Sequence, residues 1–149
     1  MSEEKKEKIK PSARRKARRY ALQALYQWQI VGSNLREIEQ QFCHDHDMRK
    51  VDVPYFSELL HKVSAGADAL DQLMFPYLDR ALTALDPVEL AILRMGTYEL
   101  SQRPEIPYRV VINEALELAK TFGAEDGYKY VNGILDRLAR DLRAVEMRG

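Results

Sequence analysis

From Val110 to Leu142 the apolar positions recur in steps of three and four, with one break. The first part carries Val111, Ala115, Leu118 and Phe122, widened by Ile112, Leu116 and Ala119. The second carries Tyr128, Val131, Leu135, Leu138 and Leu142. Both spacings predict helices buried along one face. Gly123 follows the first helix directly and is expected as its left-handed stop. The joint from Phe122 to Tyr130 crowds two glycines, two acids and two tyrosines into a short turn. It reads either as a plain helix–helix corner with core tyrosines or as a surface that binds something. Tyr128 lies on the apolar stripe; Tyr130 falls off it and is expected to be an exposed aromatic beside Lys129.

The same periodicity runs through the rest of the chain. Ser12 is placed to cap a helix from Ala13 to about Val31, with Ala17, Ala21, Ala24, Trp28 and Val31 inward, assisted by Leu25. A second helix starts after Asn34, with Glu37 in the capping-box position and Leu35, Ile38 and Phe42 inward. Asp52 and Pro54 open a third, carrying Tyr55 or Phe56, Leu59, Leu60 and Val63, with His61 structural and an interruption at Gly66 before Leu70, Leu73 and Met74. A short helical segment is expected over Pro76–Leu85. Asp86-Pro87-Val88-Glu89 then starts a helix to about Gln102 that is apolar nearly all round, so it belongs at the centre of its half. Past Val145 the charged end is expected to fray. No stretch alternates with period two for long enough to be a strand. These elements predict an all-α fold of six or seven helices, in two subdomains of roughly residues 11–80 and 81–149.

Charge changes this picture at one end. The chain of 149 residues is neutral overall, but residues 1–19 hold nine Lys/Arg against three Glu, leaving 14 basic and 20 acidic side chains elsewhere. Residues 1–10 read as a disordered charged extension. From Pro11 to Arg19 there is no acid at all, as suits a basic arm for an anionic partner, most often nucleic acid. On a helix, Arg15, Arg19, Leu22 and Tyr26 fall within about 60° of one another. Tyr26 therefore continues the arginine line, and an exposed ring can stack an unpaired base. The alternative is that Tyr26 packs on a neighbouring helix while the arginines are merely solvated.

Other chemistry is weakly represented. Cys43 is the single cysteine, so no disulfide framework or cysteine-ligated zinc is available within the chain. Cys43-His44-Asp45-His46-Asp47 resembles a metal cluster in composition, but alternating residues of a helix do not share a face, and a polar helix end is the better reading. No GxxxxGK, GxSxG or HExxH occurs. A binding module without cofactor or catalytic residues is therefore favoured over an enzyme. No apolar run approaches a membrane span, and the amino terminus lacks the apolar segment of a secretory signal, so a cytoplasmic protein is expected.

Three segments, SARRKARRYALQALYQWQ, LDPVELAILRMGTYEL and IPYRVVINEALELAKTFGAEDGYKYVNGILD, together resemble the NusB family of bacterial transcription antitermination factors. The resemblance extends from Pro11 to about Leu138 and implies an all-α fold and a non-catalytic, RNA-binding function. By implication the chain pairs with NusE, also a small-subunit ribosomal protein, on single-stranded boxA RNA of nascent ribosomal transcripts. NusA, NusG and RNA polymerase would complete the assembly. Carried over by position, Arg14, Arg15, Lys16, Arg18 and Arg19 are the phosphate-contacting set and Tyr26 the stacking tyrosine. Asp126, Lys129 and Tyr130 match the joint that closes over the RNA, many members having Phe where Tyr130 stands. Tyr77 and Glu89 fall where the family meets NusE. The arm and the joint are thereby expected to form one surface.

Two rivals stand beside this reading. One is the RNA-targeting domain of an rRNA cytosine methyltransferase, which needs a long carboxy-terminal catalytic domain; the other is a helical protein–protein adaptor. The oligomeric state stays open, a homodimer that hides the RNA surface until NusE or RNA displaces it being one alternative.

Overall fold

Short polar side chains set where the helices begin. Asn34 Oδ1 accepts the Arg36 and Glu37 amides at 2.8 and 3.3 Å. Asp52 Oδ1 accepts Tyr55 N–H at 3.2 Å, and Asp86 Oδ1 accepts Val88 and Glu89 N–H at 2.8 and 3.3 Å. Each satisfies amide donors that the first turn of a helix leaves open. In the computed structural model, which describes residues 10–148, the result is eight α-helices. They are α1 (Pro11–Val31), α2 (Leu35–Asp45), α3 (Val53–Ala65), α4 (Ala67–Met74), α5 (Pro87–Gln102), α6 (Tyr108–Phe122), α7 (Gly127–Leu142) and α8 (Ala144–Arg148). No strand occurs among the described residues, and no helix there is long and apolar enough to cross a membrane. The extension expected over residues 1–10 falls, except for Lys10, outside the described residues.

The helix count exceeds the expected six or seven because α3 and α4 separate at Gly66 and because the chain end folds as α8. Other expectations shift. Helix α1 starts at Pro11, so Ser12 lies inside it and no side chain caps it; proline suits this place because it has no amide proton to satisfy. The segment 76–85 is two single 3₁₀ turns, Phe75–Tyr77 and Leu82–Ala84, rather than one helix, since Leu78 and Ala81 are extended.

The chain divides into two compact units at Ser64/Ala65, earlier than the boundary expected near residue 80. Arg94 explains which side α4 takes: its guanidinium grips Asp71 of α4 at 2.9 and 2.8 Å, binding α4 to α5.

In the first unit Ala17, Ala21, Leu22, Ala24 and Leu25 of α1 are buried, as are Ile38 and Phe42 of α2 and Tyr55, Phe56, Leu59, Leu60 and Val63 of α3. Leu22 thus leaves the stripe on which the sequence put it, because the buried arc takes in the row of residues 18, 22 and 25 beside that of 17, 21 and 24. Val31, expected inside, is 66% exposed; it is the last residue of α1, and the chain turns away at Gly32, whose φ is 72°. Phe42 stacks on His46 with ring centroids 5.2 Å apart and meets Phe56 at 6.1 Å. His46 Nδ1 lies 3.1 Å from Phe42 O, so this histidine packs against the core. His61 Nε2 lies 2.8 Å from Glu39 Oε1. Burial opposes charge on Glu39, but the hydrogen bonds from His61 and Ser57 outweigh it and hold the carboxyl below its ordinary value.

In the second unit α5 is buried nearly all round and packs against α4, α6 and α7. Gly96 lets α7 approach, since a Cβ there would stand 2.9 Å from Leu135 Cδ1. On α7, Val131, Ile134, Leu135, Leu138 and Ala139 face in, while Tyr128 is half-buried and Leu142 is exposed at the helix end. Past Val145, where fraying was expected, the described chain continues as α8 to Arg148. Arg143 is 6% exposed and donates to the carbonyls of Leu100, Ile106, Glu99 and Arg103 at 2.8, 2.9, 3.2 and 3.1 Å. Its Nη1 also meets Glu146 Oε1 at 2.5 Å, and Glu146 Oε2 accepts Tyr108 N–H at 2.9 Å. One arginine therefore caps the end of α5 while its partner caps the start of α6.

Replacing Arg143 with Met takes this donor from the Leu100 and Ile106 carbonyls, while Glu99 and Arg103 keep the Arg103 and Ile106 amides. The expected loss is about 2–4 kcal/mol of unfolding free energy, read by urea denaturation followed by circular dichroism; a change within error would refute the latch.

Candidate nucleic-acid interface

In the first unit the arginine arm is sorted by helical row. Arg14 and Arg18, four apart, turn toward Tyr55 of α3. Arg14 Nε lies 3.1 Å from Asp52 Oδ2, with its guanidinium carbon 4.0 Å from the Tyr55 ring centroid. Arg18 is 5% exposed, its guanidinium 5.6 Å from the same ring. Arg15, Lys16 and Arg19 are exposed. Tyr26, two turns beyond Arg19, is 40% exposed. The five cations read from sequence as one set are therefore three that face solvent and two that brace α1 against α3. No acid of α1 itself sits in its first turn; the offset to the repulsion between the helix dipole and the arm comes from Asp52, which pairs with Arg14.

In the second unit the α6–α7 joint is built differently from the sequence expectation. Gly123 is not left-handed: its φ and ψ are −87° and 178°, and its role is steric, since a Cβ would stand 2.7 Å from Ala119 O. The left-handed residue is Asp126, with φ 67°, a conformation that aspartate tolerates better than most residues. Lys129 Nζ lies 3.4 Å from Asp126 Oδ1, both side chains being 65% exposed. Tyr130 is half-buried rather than exposed, and Arg80 covers one face of its ring at 4.4 Å. Burial, then the neighbouring Asp79 carboxylate, pushes the Tyr130 hydroxyl above its ordinary value. Tyr128 has Lys120 Nζ at 5.0 Å from its ring. Sequence reading missed Arg80; its place beside Tyr130 comes from the turn after Tyr77, which no periodicity describes.

Glu89 is only 8% exposed. Its carboxylate reaches under the joint, accepts the Ala124 amide, and lies so close to Gly127 that a Cβ there would overlap Oε2. Burial first, and Asp86 second, raise the Glu89 carboxyl above its ordinary value. Tyr77, half-buried, donates its hydroxyl to Asp141 Oδ2.

Two helical units, one bearing a cationic helix face, define an all-α protein built around surfaces. Residues 15–140 match the profile of the NusB family. A transcription antitermination protein NusB from Alcanivorax borkumensis is 59% identical over 136 residues, 91% of each chain. Another, from Pseudomonas savastanoi pv. phaseolicola, is 53% identical over 141 residues, 95% of this chain and 86% of that relative. Among solved structures, T. maritima NusB superposes with a TM-score of 0.75 at 32% identity, over 85% of this chain and 89% of that one. A structure described as antitermination factors NusB and NusE in complex with dsRNA superposes at 0.81 with 24% identity, over 89% and 99% of the two chains, and carries the fold alone. The chain belongs to the NusB family.

The packing of the joint makes two glycines of α7 respond oppositely. Gly127→Ala drives a methyl into Glu89 and should cost about 1–3 kcal/mol. Gly133→Ala meets nothing nearer than Arg137 Nη2 at 3.8 Å and should stabilise by up to about 1 kcal/mol through helix propensity. Thermal unfolding of both variants checks this; equal shifts would contradict the geometry. Glu89 adds a pH dependence. A carboxyl raised in the folded state binds more protons there than in the unfolded chain, so its contribution to stability falls as pH climbs from its ordinary value through the raised one. Glu89→Gln should remove that fall, read as the difference between the two proteins' midpoint-against-pH curves.

Proposed function

We propose that this protein is a non-catalytic transcription antitermination factor of the cytoplasm that binds single-stranded boxA RNA of nascent ribosomal transcripts together with NusE. In this reading it helps RNA polymerase, in company with NusA and NusG, to resist premature termination. The observation that carries the proposal is the exposed row of Arg15, Lys16 and Arg19 leading toward an exposed Tyr26, in a chain whose relatives are named for antitermination. Cations hold the sugar–phosphate chain, and a tyrosine face accepts an unstacked base. Arg14 and Arg18 act mainly by fixing α1 in place.

At the other unit Asp126 and Lys129 present a polar pair beside Tyr130, which is half-buried with Arg80 over its ring. Tyr77 supplies a contact for NusE, while Glu89 serves that partner indirectly by holding the joint in shape. The preference for a single strand rests on the rings, since a base inside a duplex cannot lie on tyrosine. The solved NusB–NusE complex whose description names dsRNA makes a duplex the necessary second ligand in any assay.

Filter binding with boxA RNA, a scrambled strand and a duplex, each with and without NusE, tests the reading. The boxA strand with NusE should bind tightest; equal retention of all three would end it. Tyr26→Ala should cost about 1–3 kcal/mol of RNA binding, measured by titration against the unaltered protein.

A further inference from the structure

The loop between α2 and α3 is pinned to the start of the arm. Asp52 N–H donates to Ala13 O at 3.1 Å, and Asp52 itself holds Arg14. Between these segments lies a cleft of about 700 Å³, lined by Lys10, Lys16, Arg49 and Lys50 with Ser12 and Pro54 among its neutral walls. Its one acid is Asp52, already paired with Arg14. Arg49 is held in place by Asp47, with Nε and Nη2 at 2.9 and 2.7 Å from the two carboxylate oxygens, which leaves the adjacent Lys50 exposed. Four cations from two separate segments, Arg49 sharing its charge with Asp47, thus surround a space open enough for a phosphodiester chain and carrying no ring to stack a base.

We propose that this cleft is a second backbone-binding site, in which Lys50 and Arg49 with Lys10 and Lys16 hold phosphates of the RNA strand upstream or downstream of the bases read at Tyr26. The site rests on the RNA-binding reading and extends it. It supplies affinity without sequence preference, because phosphates are the same in every sequence. It also lengthens the strand that the protein covers beyond the arm itself.

The salt dependence of binding counts the contacts. For a single strand each neutralised phosphate adds about 0.7 to the slope of log K against log salt. Arg15, Lys16 and Arg19 alone give about −2, and engagement of Lys10, Arg49 and Lys50 as well gives about −4. The experiment compares the full chain with its Arg49→Gln/Lys50→Gln variant, in the presence of NusE, on boxA and scrambled RNA across a salt series. The expected result is a slope shallower by about 1.4 and an equal weakening on both RNAs, with unchanged helicity by circular dichroism. The charge-preserving Arg49→Lys/Lys50→Arg variant should keep the steep slope. If the unaltered protein binds and the neutralised variant matches it in slope and affinity, the cleft holds no phosphate and this inference falls alone. If the unaltered protein binds no RNA with NusE present, the functional reading falls and the cleft with it.

Discussion

Helix α5 is buried on almost every side, so the polar groups at its ends have to be satisfied from within the protein. Asp86 does this at the start by accepting the Val88 and Glu89 amides. At the far end the Arg103 amide serves only Glu99 O. Arg143, 40 or more positions later, spreads one guanidinium across Glu99, Leu100 and Arg103. The guanidinium suits the place because it is planar, always charged and carries five donors. Glu146 then offsets its charge and caps α6. The closing helix of the chain is therefore part of what holds the central one.

The start of α5 is coupled to the joint through the next residue. Glu89 would ordinarily be a first-turn acid stabilised by the helix dipole. Here it is buried beneath the α6–α7 corner, where it accepts the Ala124 amide and fills the space that Gly127 leaves. Desolvation raises its proton affinity, a local cost that the corner's geometry offsets. The corner in turn sets Asp126 in a left-handed conformation and places Lys129 at the surface. A partner that grips this corner meets a shape fixed by α5.

In the first unit the comparable constraint is the Tyr55 ring. It takes Arg14 over one face and draws Arg18 in beside it, while Asp52 neutralises Arg14 and joins the α2–α3 loop to α1. Two cations spent on structure hold the neighbouring row of Arg15 and Arg19 toward solvent. A flexible basic tail would have to lose conformational entropy on binding an anionic polymer; a helix already fixed by its own arginines loses less.

How much of this was legible in sequence depends on the range of the interaction. Local signals were sufficient for the capped starts at Asn34, Asp52 and Asp86, for the apolar faces of α3, α6 and α7, and for the all-round burial of α5, because periodicity and capping act within a few residues. The basic arm and Tyr26 were visible for the same reason, as was the family through its motifs. The roles of individual side chains were not. Arg14 and Arg15 are adjacent and chemically identical, yet one is drawn over the Tyr55 ring and the other lies exposed. Tyr130 lay off the apolar stripe and was expected outside, but Arg80 folds over it. Arg143 carried no signal in the sequence and is buried against four carbonyls. By itself the sequence determined which segments are helical and which face of each is apolar. The tertiary structure alone decided which charged and aromatic side chains are free to act, since that depends on partners distant in sequence that only packing brings near.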